Sequence, residues 1–190
     1  MSFEVESQIN GILVKDSVKI SNQSIQNELL SKGYGEKYEK EFILNSFEIL
    51  YLSYTKKLKV LKIKKNISFD DLIQIYKKTE KDVFTKFLIY RDLRNRGYVV
   101  KNGFGFDSDF LVYEKGHFGQ KGAKYLIFAL NEGTQEKISH IHKNIEQITK
   151  MGKEPIIAVI ERRGEVIYYK ISKINFPQNN QKSQMVNFNF

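Results

Sequence analysis

At 190 residues, with 41% apolar and 13% aromatic residues, the chain suits one or two domains and carries enough apolar material for a real core. No apolar run approaches the ~18 residues that a membrane-spanning helix needs, and no basic-then-apolar leader follows Met1, so a soluble cytoplasmic protein with no membrane partner is expected. The absence of cysteine excludes disulfides, thiolate catalysis and thiolate metal sites, and only His117, His140 and His142 could supply imidazole, so neither a metal site nor a cofactor is expected. A net charge of +9 and a pI near 9.4 suit a polyanionic partner such as RNA without identifying one.

In chain order, residues 11–20 read as two short strands around a Lys-Asp-Ser turn, and residues 24–31 as a short helix closed by Gly33. Asn45 is a candidate N-cap for the apolar run 47–52. Residues 58–63 then alternate lysine with apolar side chains, as a half-exposed strand should. Ser68 caps the next helix, with Asp70 and Asp71 in its first turn, and the polar stretch 77–81 suits a junction between domains. Phe87, Leu88, Tyr90 and Leu93 share a helical face, Arg91, Asp92, Arg94, Asn95 and Arg96 are free to face water, and Gly97 ends the helix. Strands follow at 98–100 and 110–113 around an Asn102-Gly103 turn.

Beyond Tyr113 lies a glycine-rich polar loop, 114–122, and then an apolar strand at 125–130. A helix over 136–150 is spaced by Ile138, Ile141, Ile145 and Ile148 and stopped by Gly152. Residues 155–160 read as a buried strand whose hairpin partner occupies 165–174. Pro177 closes the fold, and the Asn- and Gln-rich tail 178–190 is expected to be disordered. His140 and His142, two apart on a helix, point in different directions and cannot pair as ligands.

The string Y-R-D-L-R-N-R-G-Y-V-V-K-N-G-F at 90–104, followed by D-F-L-V-Y at 109–113, closely resembles the start of the nuclease domain of the archaeal tRNA-splicing endonucleases. The segments L-L-S-K-G-Y-G, F-I-L-N-S-F-E-I-L-Y-L, K-L-K-V and I-S-F-D-D-L have the order and spacing of that family's N-terminal domain. The resemblance implies an α+β chain: a small mixed α/β domain over 1–80, then a nuclease-like domain over 81–177 with a central mixed sheet flanked by helices. It also implies metal-free cleavage of precursor tRNA at bulge-helix-bulge sites, leaving 2′,3′-cyclic phosphate and 5′-OH ends. A base takes the ribose 2′-OH proton, an acid protonates the leaving oxygen and a cation stabilises the charged phosphorane.

Residue by residue, the family's tyrosine carries over as Tyr113. Its lysine carries over as Lys153, through K-E-P-I-I-A-V-I-E-R-R-G-E-V-I-Y-Y at 153–169. Its histidine does not carry over: alignment on Tyr125-Leu126-Ile127 puts Gly122 in that place, and His117 is the one displaced candidate in the same loop. The resemblance further implies oligomers, in which C-terminal strands pair between units and an acidic loop docks on a neighbour. The matching residues are Val166, Ile167, Tyr168 and Tyr169 for the strand and Glu161 and Glu165 for the loop, where Arg162 and Arg163 dilute the acidity. Arg91, Arg94 and Arg96 are candidate RNA contacts.

The reading is a structural subunit in a heterotetramer, scaffolding a catalytic endonuclease subunit on precursor tRNA. The alternatives are an active homo-oligomeric endonuclease using Tyr113, His117 and Lys153, and a basic RNA-binding module outside splicing.

Overall fold

The computed structural model describes residues 5, 8–39, 41–131 and 137–172, and describes no side chains for 131–143. The tail 178–190 and the side chains of His140 and His142 therefore lie outside the described residues.

The first half is a four-stranded sheet ordered β2-β1-β5-β6, built from β1 (Ile9–Val14), β2 (Ser17–Lys19), β5 (Leu58–Lys62) and β6 (Lys65–Asn66). Alternation decides which face is inward: Ile9 and Leu13 of β1 and Leu58 and Val60 of β5 are buried, while Asn10, Ile12 and Lys59 are exposed. Helices α1 (Gln23–Ser31), α2 (Ser46–Tyr54) and α3 (Phe69–Tyr76) accompany this sheet. Their starts follow from capping. Asn22 accepts from the Ser24 and Ile25 amides, the Glu48 carboxylate accepts from the Asn45 amide at 2.8 Å, and Ser68 Oγ accepts from the Asp71 amide at 3.1 Å.

A hairpin of β3 (Glu36–Tyr38) and β4 (Glu41–Ile43) was not evident in the sequence. Gly35, at φ +64°, leaves room for the Phe42 ring, which any Cβ at that position would strike.

The second half is a five-stranded sheet ordered β11-β10-β9-β8-β7, made of β7 (Val99–Asn102), β8 (Phe110–Tyr113), β9 (Tyr125–Asn131), β10 (Glu154–Ile160) and β11 (Val166–Lys170). Only β9 and β10 run parallel, joined through α5 (Lys137–Lys150), as a parallel pair requires a crossover. β9 is buried on both faces: Ile127 and Ala129 enter the main core, whereas Leu126 and Phe128 pack with Ile145 and Ile148 of α5. β10, read as a buried strand, buries Pro155 and Ala158 and leaves its other residues half-buried, because it lies one strand in from the edge.

Helix α4 (Val83–Asn95) joins the halves, packing on α2 and on the second sheet. One core runs through both: Phe47 of α2 meets Tyr90 of α4 at 4.9 Å and Phe110 of β8 at 5.1 Å between ring centroids. Beside that cluster Glu48 is fully buried, its carboxylate accepting from the Gly35 amide at 3.0 Å as well as from Asn45, and it feels the positive charges of Lys101 and Arg94.

Burial pushes the Glu48 carboxyl up, against the opposing pull of Lys101 and the two amides. A raised folded value means that the folded chain holds this proton to higher pH than the unfolded chain does. The group's contribution to stability is therefore full below the ordinary carboxylate range and declines as pH rises through the elevated value. Glu48→Gln should cost about 1–3 kcal/mol, because an amide NH2 would face the Asn45 N–H. In thermal denaturation at several pH values the gap to wild type should narrow as pH rises from ~4 to ~7; a gap that widens would contradict this account.

Candidate active site and interface

Tyr113 ends β8, and Lys153 immediately precedes β10. Register brings them to one end of the sheet. Val112 pairs with Tyr125, and Tyr125 pairs with Glu154, so the outgoing end of β8 lies beside the incoming ends of β9 and β10. Two strand spacings separate those ends, or roughly 10 Å. The stretch 122–124 is tied to both neighbours, since the Lys124 amide donates to Val112 O and the Glu154 amide to Lys124 O, each at 2.9 Å.

Lys153 follows Gly152, whose φ of +71° closes α5, and its amide donates to Ile148 O at 3.2 Å. Its ammonium turns toward the loop and donates to Ala123 O at 2.6 Å. A Cβ on Gly122 would meet Lys153 Nζ at 4.0 Å and nothing nearer. Gly122 is not among the glycines with positive φ, so neither backbone conformation nor crowding demands glycine there. Gly122, the position that the resemblance sets against the family's histidine, thus borders Lys153.

The Tyr113 ring is half-buried and meets Phe118 edge-on, 5.0 Å between centroids. His117 belongs to a local turn: its amide donates to Glu114 O at 3.0 Å, and its carbonyl accepts from the Gln120 and Lys121 amides. Its Nδ1 lies 3.7 Å from the Glu114 carboxylate. Among the described residues, no hydrogen bond or ion pair joins His117 to Tyr113 or Lys153. The sequence did not point to the charged row beside this end of the sheet. Lys124 bonds Glu114 at 2.5 Å and lies 3.9 Å from Glu154, and Lys170 bonds Glu154 at 2.8 Å. The Lys124 bond holds the Glu114 carboxyl below the usual carboxylate range. Among the described residues no group of three or more His, Cys, Asp or Glu is placed to hold a metal ion.

The three arginines have different roles. Arg94 is a correction to the water-facing expectation: it is 7% exposed, its guanidinium stacks 3.9 Å from the Tyr34 ring centroid, and Nη2 donates to Lys32 O at 3.1 Å. Tyr34 covers this side of α4, so Arg94 serves as an internal joint between the two halves. Arg96 is exposed and holds Asp92 at 2.7 Å, while Arg91 lies 5.6 Å from both the Tyr54 and Phe87 rings. These two, with Tyr54, Asn95 and Glu165, line a cleft of about 520 Å³.

β11 forms the sheet edge, with β10 as its one partner among the described residues. Val166 and Tyr168 lean on the main core, and the Tyr168 hydroxyl donates to Asp92 at 2.8 Å; Ile167 is half-buried, and Tyr169 is 53% exposed. Burial, with help from Asp92, raises the Tyr168 phenol far above its usual range. The turn before β11 is closed by bonds between Glu161 and Glu165 and from the Gly164 amide to Glu161, and it leaves both carboxylates exposed.

Comparison with known proteins accounts for both halves. Residues 9–73 match the tRNA intron endonuclease N-terminal domain and residues 83–168 the tRNA intron endonuclease catalytic C-terminal domain. The tRNA-splicing endonuclease of Pyrococcus furiosus is 31% identical over 173 residues, covering 90% of this chain and all of that protein. That of Methanococcus vannielii is 35% identical over 147 residues, covering 76% and 82% respectively. That of Methanothermobacter thermautotrophicus is 30% identical over 169 residues, 88% and 98%. The chain belongs to the tRNA intron endonuclease family.

Two substitutions test these assignments by thermal or chemical denaturation. Gly122→His should change stability by less than ~1 kcal/mol, because the site is open and the backbone is permissive. Arg94→Ala should cost about 1–3 kcal/mol through poorer packing and a less compensated Glu48. A large loss in the first or none in the second would refute the placement.

Proposed function

We propose that this chain is the structural subunit of a heterotetrameric tRNA-splicing endonuclease, assembling with a catalytic subunit to cut precursor tRNA at bulge-helix-bulge sites. The observation that carries the reading is Gly122 beside Lys153. In the chemistry the family performs, Tyr113 and Lys153 would supply a phenol and an ammonium, the ammonium suited to a phosphorane oxygen. The proton needed by the leaving 5′-oxygen has no donor at position 122. General acid catalysis contributes typically ~10²–10⁴-fold, so a chain lacking it is a poor nuclease even with the other two groups retained.

The remaining features support the same role. The edge at β11, open among the described residues and with Ile167 and Tyr169 outside the main core, offers main-chain groups and apolar area to a second unit. Glu161 and Glu165, exposed on the adjoining turn, suit a cationic cleft in a catalytic neighbour. His117 sits in a turn with Glu114 and, among the described residues, forms no hydrogen bond or ion pair with Tyr113 or Lys153, which favours the same reading.

Native mass spectrometry of the chain with its catalytic companion, followed by cleavage of an intron-bearing transcript, tests this. A heterotetramer is expected, and Tyr113→Phe or Lys153→Ala in this chain should leave its cleavage rate within about twofold. The matching substitutions in the companion should lower the rate by at least ~10²-fold. A chain that refuses the companion, or a complex inactivated by Tyr113→Phe here, would overturn the proposal.

A further inference from the structure

The hairpin of β5 and β6 breaks three local rules at one exposed tip. Its two-residue turn places Ile63 at φ +47° and Lys64 at φ +65°, a left-handed pair that normally takes Asn or Gly and that strongly disfavours a β-branched side chain. Lys62 stands directly across from Lys65, although like charges facing one another destabilise a ladder. Ile63 is 92% exposed. Local violations of this kind collect where function outweighs stability.

Charge at this tip is distinctive too. Residues 56–65 carry six lysines and no acidic residue. Among the described residues, Lys56, Lys59, Lys62 and Lys64 form no ion pair, and Lys65 feels Asp71 at a distance. By contrast, Lys86, Lys101, Lys124 and Lys170, on or beside the second sheet, each face a carboxylate within 4 Å. Lys62 and Lys64, at the outer edge of the first sheet, thus lack a carboxylate partner among the described residues.

We propose that this hairpin tip is a second RNA contact, remote from the Tyr113–Lys153 end. It grips a double-stranded arm of the precursor tRNA, with Lys62, Lys64 and Lys65 on phosphates and Ile63 against the sugar edges of the shallow minor groove. Unpaired ammonium groups on a narrow two-stranded finger match a polyanion of repeating phosphates, and A-form RNA exposes a wide, shallow minor groove that such a finger can enter. The inference rests on the reading that this chain works on precursor tRNA.

The test is fluorescence anisotropy with an intron-bearing precursor transcript, titrated with the heterotetramer at several salt concentrations. Combined Lys62→Gln, Lys64→Gln and Lys65→Gln should weaken binding at least ~10-fold near 0.1 M salt and lower the salt slope by about one for each phosphate that is no longer engaged. Lys77→Gln, Lys78→Gln and Lys81→Gln, an equal charge change elsewhere, should have a smaller effect. Ile63→Asn, which suits the left-handed turn, should raise the melting temperature while weakening RNA binding, a combination that misfolding cannot produce. Equal losses from both lysine triples, or an unchanged affinity in the hairpin variants, would overturn the proposed grip while leaving the subunit assignment standing. Loss of assembly with unchanged RNA affinity would overturn it in favour of an acidic protein partner. Failure of the wild-type complex to bind the transcript would overturn both readings.

Discussion

The β8–β9–β10 register is the constraint from which the rest of the account follows. Because β8 runs against β9 and β9 runs with β10, one outgoing end and two incoming ends converge on the same side of the sheet. That arrangement brings Tyr113 and Lys153 to the same end of the sheet, with Gly122 next to Lys153 in the loop that leads into β9. A slip of one residue in either pairing would send the side chains of that strand to the opposite face. Beneath these strand ends Phe110 and Ile127 are almost wholly buried.

The joint between the halves follows a related logic. Glu48, Arg94 and Lys101 bring charge into a nearly dry region, which burial penalises. Their compensation is local: two amides on Glu48, an aromatic face and a carbonyl for Arg94, and the Gly35 carbonyl with Glu36 for Lys101. Apart from the Asn45 cap on Glu48, each of these interactions reaches from the second half, or from α2, to the chain around residues 32–36. They fix the first half on α4 and so set the direction in which the basic hairpin projects.

Much of this could be read from residues in order. Asn45 and Ser68 announced their helices by capping chemistry, and Gly97 announced the end of α4. Alternation at 58–62 identified β5. The β3–β4 hairpin escaped because Glu36-Lys37-Tyr38 and Glu41-Phe42-Ile43 bury only Phe42, leaving no periodicity to detect. Arg94 misled for a different reason: its charge suggested water, although it lies four residues after Tyr90 and seven after Phe87, on their buried face, where Tyr34, far away in the chain, receives the guanidinium. At the candidate site, Tyr113, Lys153 and Gly122 were singled out by family resemblance and not by any local pattern. The nearness of Gly122 to Lys153 needed the strand register, and the Glu114–Lys124–Glu154 row needed the folded loop.

The central claim is that the proton-donating member of the set is missing and that no other group in the chain replaces it. Single-turnover cleavage of a bulge-helix-bulge transcript by the purified chain alone examines that claim most directly. The account predicts no cutting above background, with His117→Ala indistinguishable from wild type. Vigorous cleavage by the lone chain, abolished by His117→Ala, would contradict it.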